Sequence, residues 1–330
     1  MPLILLATHN GQAFLEPLLE SICKQTLDTW TLVASDDASD DRTAAILERW
    51  SARDSRIRIL PAEQRRQGVL TNFGRLLEYA RVSEHQSIAL ADQDDVWQPD
   101  KLALQLERLQ LEQRNLPGST PILVHTDLSV VDQDLQVRHP SLRQFAALEP
   151  HRDGDLKSLL MHNCVTGCST MFNRPLLDLA LPVPVDAVMH DWWLALCAAS
   201  SGRIAYISSP TVLYRQHQQN VLGARGAVWR SALARVLGGR HRWRQDMSHF
   251  RRSVDQARAL RRRLRTSPVP VGLQASRLLE GYCQIFDEPR SAWTRLGALI
   301  RMGLPNVHPL RRALSYFRVC LLNHYVDSRA

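Results

Sequence analysis

The chain has no run of about 18 uncharged apolar residues, the length a membrane-crossing helix needs, so the sequence predicts no transmembrane segment. Its opening, "MPLILLATHNGQ", has no basic leading region and too short an apolar run for a secretory signal. Cysteine is scarce and scattered. Of six in 330 residues, only Cys164 and Cys168 lie close together, with no second pair or histidine at zinc-site spacing beside them. A disulfide framework is thereby disfavoured, and a reduced, cytoplasmic compartment is expected. Internal repeats and low-complexity tracts are absent as well. Lysine is missing from residues 225–330, which hold 21 Arg against 6 Asp+Glu, whereas residues 1–224 hold 20 Lys+Arg against 27 Asp+Glu. The net charge of +8 therefore hides two parts of opposite sign. The acidic part should hold a cation-dependent site, and the basic part should meet an anionic surface.

What is present in the acidic part is strand–helix alternation. "LILLAT" (3–8), "WTLVASDD" (30–37), "IRILPA" (57–62) and "SIALA" (87–91) read as strands. "FLEPLLESICKQTL" (14–27), "RTAAILERWSARD" (42–54) and "VLTNFGRLLEYAR" (69–81) read as helices between them. Such alternation predicts an α/β fold with a parallel sheet covered by helices on both faces. Ligands of such sheets sit beyond the carboxyl ends of the strands. Thr8–Asn10, Asp36–Asp37 and Asp92–Asp94–Asp95 should therefore emerge at one edge. Further along, 99–113 reads as a helix, 122–134 as a strand and turn, and 162–181 as a loop centred on Gly167 followed by a strand and a helix start. Residues 189–202 read as a helix, and 203–220 as a strand pair with a polar tail.

The stretch "SIALADQDDVW" releases Asp92, Asp94 and Asp95 within four positions, and no Lys or Arg lies between Arg81 and Lys101. Three explanations compete: solvated turn residues, acids favoured near the N-terminus of the next helix, or ligands of a hard divalent cation. An EF-hand is excluded because its glycine and distal glutamate are missing. The apolar run before the cluster and Trp97 after it argue for partial burial, and buried carboxylates need protons or a cation. Taken alone, Asp191 reads equally well as a helix cap, Trp192 and Trp193 as core, His217 as a surface histidine, and Cys164 and Cys168 as small apolar fillers.

The set "ATHNG", "SDDASDDRT", "ALADQDDVWQPDK", "TGCSTMFNR", "HDWW" and "YRQHQQN" resembles the family 2 glycosyltransferases, in particular rhamnosyltransferase-like members of bacterial O-antigen and other surface-polysaccharide synthesis. The resemblance covers residues 1 to about 224. It implies a GT-A fold, with a nucleotide-binding half (about 1–115) continuous with an acceptor half (about 116–224), followed by an Arg-rich helical region (225–330). It also implies a Mg²⁺ or Mn²⁺ cofactor, a nucleotide-sugar donor such as dTDP-L-rhamnose, and a saccharide acceptor, expected to be lipid-linked.

Carried over by position, Asp37 would read the pyrimidine base, with Asp36 beside it. Thr8, Asn10, Gly68 and Asn72 would line the nucleotide. Asp94 would bind the metal, with Asp92 near the ribose or metal, Gln93 between them, and Asp95 a ligand or an outer neighbour. His217 would be a late metal or diphosphate ligand, and Arg215 would balance phosphate charge. Asp191 occupies the general-base position; His190 stands where the family has a first acid. Trp97, Gly167, Cys168, His190 and Trp192 fall on the acceptor side.

The stretch 225–265 interleaves Arg with Trp, Leu, Val and Ala. It reads as an amphipathic helix on an anionic membrane or as a helical bundle packed on the catalytic part. No nucleic-acid motif accompanies the charge, so a nucleic-acid partner is not expected. The expected location is the cytoplasm, peripheral on the inner face of the cell membrane. Two other readings stay open: a non-catalytic scaffold of polysaccharide assembly, and a nucleotidyltransferase. The latter lacks its Gly-rich, Lys/Arg-bearing loop after the first strand.

Overall fold

A computed structural model describes residues 1–146, 155–217, 239–287 and 291–303. The strands are β1 (Leu3–Thr8), β2 (Thr31–Asp36), β3 (Ile57–Ile59), β4 (Ser87–Asp92), β5 (Val96–Trp97), β6 (Ile122–Val131), β7 (Val137–His139), β8 (Thr170–Asn173) and β9 (Arg203–Arg215). They form one sheet in the order β3-β2-β1-β4-β8-β6-β9-β5, with β7 paired to β6. The helices are α1 (Leu15–Cys23), α2 (Thr43–Arg53), α3 (Val69–Val82), α4 (Lys101–Asn115), α5 (Leu142–Phe145), α6 (Leu156–Met161), α7 (Arg174–Ala180), α8 (His190–Ser201), α9 (Gly239–Thr266), α10 (Leu273–Asp287) and α11 (Ala292–Arg301).

The parallel arrangement expected from the N-terminal alternation is found in β1–β4. Leu3, Ile4, Leu5 and Leu6 are wholly buried, as a strand covered on both faces requires. Alternate residues feed different cores: Leu3, Leu5, Ile88 and Leu90 pack with α3, and Ile4, Leu6, Ala89 and Ala91 pack with α1 and α4. Beyond β4 the sheet becomes mixed. Strand β8 runs antiparallel to both β4 and β6, and β9 runs parallel to β6.

Residues 203–220 do not form the expected strand pair. A single strand, β9, continues alongside β6 and absorbs its extra residues as register shifts around Asp127. Pro210 sits at that irregularity, where its missing N–H costs no ladder bond. The polar tail from 218, like 225–238 of the Arg-rich stretch, lies outside the described residues.

The described part of the Arg-rich region packs on the sheet domain. Phe250, Val254, Leu260, Tyr282 and Phe286 share a core with Leu159, Trp192 and Trp193. Much of its charge is used internally. Arg258 pairs with Asp255 and Asp287, Arg261 with Asp287, Arg262 with Asp186 and Arg265 with Glu280. Arg252 donates to the carbonyl oxygens of Ala187 and Val188, and Arg263 to those of Leu179, Leu181 and Pro182. The Gln256 side-chain oxygen accepts from Val188 N at 2.8 Å. The helical region thus clamps the segment that enters α8. None of the described helices is long and apolar enough to cross a membrane.

The end of α8 passes close to the start of β6. A Cβ on Gly202 would lie 1.9 Å from the Pro121 carbonyl oxygen, which itself accepts from Arg203 N. Backbone cannot yield as a flexible side chain can. Gly202→Ala should therefore destabilise the protein by about 1–3 kcal/mol or more, read as a lowered midpoint in urea unfolding with the slope unchanged.

Candidate active site

Parallel pairing aligns the strand ends. Thr8 is in register with Asp36 and Ala7 with Asp92, so the loops after β1, β2 and β4 open at the same edge. They line a cavity of about 380 Å³ together with Thr166, Gly167, Met189, His190, Asp191, Tyr214 and His217. Of the residues singled out in the sequence, Thr8, Asn10, Asp37, Asn72, Asp92, Gln93, Asp94, Gly167, His190, Asp191 and His217 meet there.

The first two loops are held by side chains that spend their hydrogen bonds on one another. Asp36 accepts from Thr8 Oγ1 (2.7 Å) and Ser39 Oγ (2.6 Å) and from Ser39 N (3.0 Å). It organises the loop and does not line the cavity. Asp37 accepts from Gln67 N (2.6 Å) and Gly68 N (2.7 Å), which pins the loop 61–68 beside the cavity. Gly68 has φ +91°, a conformation that only glycine adopts at little cost; its role is the turn into α3. Asn72 donates to the carbonyl oxygen of Ser35 at 3.0 Å.

Gln93 does more than space the two acids. Its side-chain oxygen accepts from His9 N and its amide donates to His9 O, both at 2.8 Å. The β1 loop is thereby locked to the β4 turn. Gly11 makes room for this clamp, since a Cβ there would lie 2.3 Å from the Gln93 oxygen.

The carboxylates are crowded and partly or wholly buried. Burial, with the charges of Asp94 and Asp191 behind it, pushes Asp92 up to about 8. Asp94 Oδ2 lies 2.9 Å from His217 Nε2. Asp95 points away from the cavity: it is wholly buried, accepts from Arg215 N at 3.2 Å, and is held well above the usual carboxylate range by burial and then by Asp94 and Asp92. One oxygen each from Asp92 and Asp95 and the sulfur of Cys168 lie within 4.8 Å of one another. Asp95 and Cys168 do not line the cavity, whereas Asp92, Asp94, Asp191 and His217 do. Hard oxygen ligands plus one imidazole, crowded enough to repel, suit a divalent cation such as Mg²⁺ or Mn²⁺.

Arg215 does not turn its guanidinium to the cavity. It donates to the carbonyl oxygens of Asp94 and Gln133 and lies over the Phe14 ring, which also packs on His217. Trp97 is core: Lys101 Nζ sits 3.8 Å from the centre of its ring. Burial pulls Lys101 down to about 7, and its ammonium donates to Gln105 at 2.8 Å. Trp192 is core too, donating from Nε1 to the Leu159 carbonyl at 2.6 Å. Cys168 is wholly buried. Trp97, Cys168 and Trp192 therefore stand off the cavity because their apolar bulk fills the layers beneath it.

Asp191, at the start of α8, accepts from Gly167 N (3.1 Å) and from Trp192 N (2.6 Å). Burial raises it to about 6, and the backbone hydrogen bonds hold it from rising further. It lines the same cavity as Asp92 and Asp94, close enough for its charge to act on Asp92. Several lining residues receive no role from the sequence: Arg66, Val69 and Phe73 around the entry to α3, Met189, and Tyr214, which opens the "YRQHQQN" motif at the end of β9. Only the lateral order of the strands brings them here.

Residues 3–178 match the glycosyl transferase family 2 model. A dTDP-rhamnosyl transferase, RfbG of Shigella flexneri, is 28% identical over 228 residues, which are 66% of this chain and 74% of that protein. The S. aureus TarS 1–349 structure with UDP-GlcNAc superposes with a TM-score of 0.57 at 13% identity, covering 98% of this chain and 91% of that one. The mannosyltransferase PcManGT from Pyrobaculum calidifontis, with GDP-Man and Mn²⁺, gives 0.51 at 17% identity over 99% and 88%. With more than half of its length matched and a mixed sheet opening its strand ends onto an acid-lined cavity, this chain belongs to glycosyl transferase family 2 and has the GT-A fold.

Proposed function

We propose that the chain is an inverting glycosyltransferase that moves L-rhamnose from dTDP-L-rhamnose to a saccharide acceptor, lipid-linked, in surface-polysaccharide synthesis. The coarser part, glycosyl transfer from a nucleotide sugar, comes with the family. The observation that carries the mechanism is Asp191, cradled by two backbone amides in the cavity that Asp92 and Asp94 also line. The similarity to a dTDP-rhamnosyl transferase supports the donor. So does the apolar lining from Val69, Phe73 and Met189, which suits the methyl group of a 6-deoxy sugar.

In this reading Asp92, Asp94 and His217 would hold Mg²⁺ or Mn²⁺. The ion, when bound, balances the charge that develops on the departing nucleoside diphosphate. Thr8, Asn10, Asn72 and Arg66 hold the nucleotide end, and Asp37 keeps the 61–68 loop against it. Asp191 takes the proton from the acceptor hydroxyl as that oxygen bonds to the anomeric carbon. The bond from that carbon to the diphosphate oxygen breaks, and its electron pair leaves with the diphosphate. One base suffices, because no covalent sugar–enzyme intermediate forms.

A membrane-facing acceptor is supported by α11 and its neighbours. Trp293 is 79% exposed and Ile300 51% on α11, Leu273 of α10 is exposed too, and Arg277 and Arg301 are exposed on the same two helices. Aromatic and aliphatic side chains among arginines suit the interface of an anionic bilayer.

Asp191→Asn should lower kcat by about 10²–10⁴-fold and leave dTDP binding by calorimetry unaltered; near wild-type turnover would exclude Asp191 as the base. Because burial raises this group to about 6, its active, ionised form is lost as pH falls through that value. The rate should then drop toward tenfold per pH unit on the acid side, a limb that a pH–rate profile reads directly. Wild type should show a Mn²⁺-dependent rise in melting temperature with nucleoside diphosphate, and Asp94→Ala should abolish it; an undiminished rise in the variant would remove Asp94 from the metal site. Liposomes with anionic lipid should carry the protein upward on flotation, and Trp293→Ala should weaken this. A protein left at the bottom of the gradient would exclude the membrane contact.

A further inference from the structure

Ala187 and Val188, just ahead of α8, have three backbone polar groups met by one face of α9. Arg252 and Gln256 are four residues apart on that helix and so share a face. Arg252 donates to the carbonyl oxygens of Ala187 (2.8 Å) and Val188 (3.3 Å). Gln256 is wholly buried, and its side-chain oxygen accepts from Val188 N at 2.8 Å. Chemistry fixes the orientation of that amide, since only its oxygen can accept from an N–H. Among the described residues its nitrogen has no hydrogen-bond partner. The nearby α9 residues Val254, Ala257 and Leu260 belong to the apolar core. An apolar side chain of the same length would spare the fold a half-satisfied amide, but would leave Val188 N a buried orphan. The one bond Gln256 makes in this core is thus to the backbone that leads into α8.

From Val188 onward the chain is stiff. Met189 O accepts from Trp193 N at 3.0 Å in the first turn of α8. Asp191 lies in that turn, its carboxylate on Gly167 N and Trp192 N. A hydrogen-bonded turn moves as a unit, so a shift at Val188 carries Asp191 with it. Resting on Asp191 as the base, we propose that Gln256 is a positioning residue for the transfer. Its bond to Val188 N sets where the first turn of α8 stands, and through that turn how the Asp191 carboxylate meets the acceptor hydroxyl. Gln256 itself does not line the cavity, and α9 lies beyond the residues 3–178 that match the family model. The nucleotide end is fixed by other bonds, Gln93 on His9 and Asp37 on residues 67–68, none of which involves α9. Loss of Gln256 is therefore felt in the rate of transfer and not in the binding of nucleotide.

The experiment compares wild type with Gln256→Met, which keeps length and bulk but offers no oxygen, and with Gln256→Glu, which keeps one. Arg252→Met probes the same clamp from an exposed position, without disturbing the core. Each is made alone and together with Asp191→Asn. Release of dTDP from dTDP-L-rhamnose with Mn²⁺ is followed with water as the acceptor, UDP-GlcNAc and GDP-mannose are run beside it, and calorimetry measures binding of dTDP, UDP and GDP. Gln256→Met should lower kcat by about ten- to a hundredfold and leave donor KM and nucleoside diphosphate affinity in place. Arg252→Met should do the same to a smaller extent, and Gln256→Glu should recover most of the loss. In the Asp191→Asn background none of these changes should cost anything further, because a residue that acts through the base has nothing left to position. Wild-type turnover in both Gln256→Met and Arg252→Met would overturn the proposal. So would equal losses with and without the Asp191 carboxylate, which mark a merely structural role, or a matching fall in nucleoside diphosphate affinity. Wild-type turnover in Asp191→Asn alone would instead remove the base on which the proposal rests. A wild-type protein that bound none of the three nucleoside diphosphates would overturn the nucleotide-sugar reading itself.

Discussion

The crowding of carboxylates at the strand ends is the constraint around which the rest of the site is arranged. Asp92, Asp94, Asp95 and Asp191 converge with little water to screen them. Burial pushes Asp92, Asp95 and Asp191 upward, with repulsion from neighbouring carboxylates added at Asp92 and Asp95, while burial pulls the nearby Lys101 ammonium down. Such a cluster costs stability unless protons or a cation relieve it. The protein tolerates it by fixing the backbone beneath. Gln93 ties the β4 turn to the β1 loop, and Arg215 grips Asp94 O and Asp95 together. A site held this rigidly cannot ease its repulsion by swinging side chains into solvent, so demand for positive charge is built into the unliganded fold.

A second constraint acts on the base. The segment before α8 carries backbone groups satisfied from the Arg-rich helices, through Arg252, Gln256 and Arg263. The same helices complete the apolar core under Trp192 and Trp193. The C-terminal region is therefore more than a surface appendage: its described part sets where α8 begins, and with it where His190 and Asp191 stand. Charge that composition alone offers to an external anion is partly spent inside the molecule, on Asp186, Glu280 and Asp287. Among the described residues, Trp293 and Ile300 stay exposed on α11, and Arg277 and Arg301 are exposed on α10 and α11.

Which features could be read beforehand follows from the range of the forces involved. Alternating apolar runs specify β1 to β4 locally, because a strand buried on both faces needs no partner identity to be recognised. Parallel order then places Thr8, Asp36, Asp37 and Asp92 at one edge, and the match of motifs brings Gly167, Asp191 and His217 to the same place. Residue type could not reveal which acids face the ligand. Asp36 and Asp37 are adjacent and chemically identical, yet Asp36 holds Thr8 and Ser39 while Asp37 holds the 61–68 loop. Asp94 and Asp95 likewise part company, one toward the cavity and one beneath it.

By itself, then, the amino-acid order determined the family, the strand ends that make the site, and the acids and imidazoles from which it is built, since each of these depends on near neighbours in the chain. Tertiary structure decided the rest: the long unbroken β9 in place of a hairpin, the burial of Trp97, Cys168 and Trp192, the arrival of Arg66, Phe73 and Tyr214 at the cavity, and the stacking that isolates His190. These depend on contacts between residues tens to hundreds of positions apart. Only the packed sheet and its helices settle which side of a residue meets protein and which meets ligand.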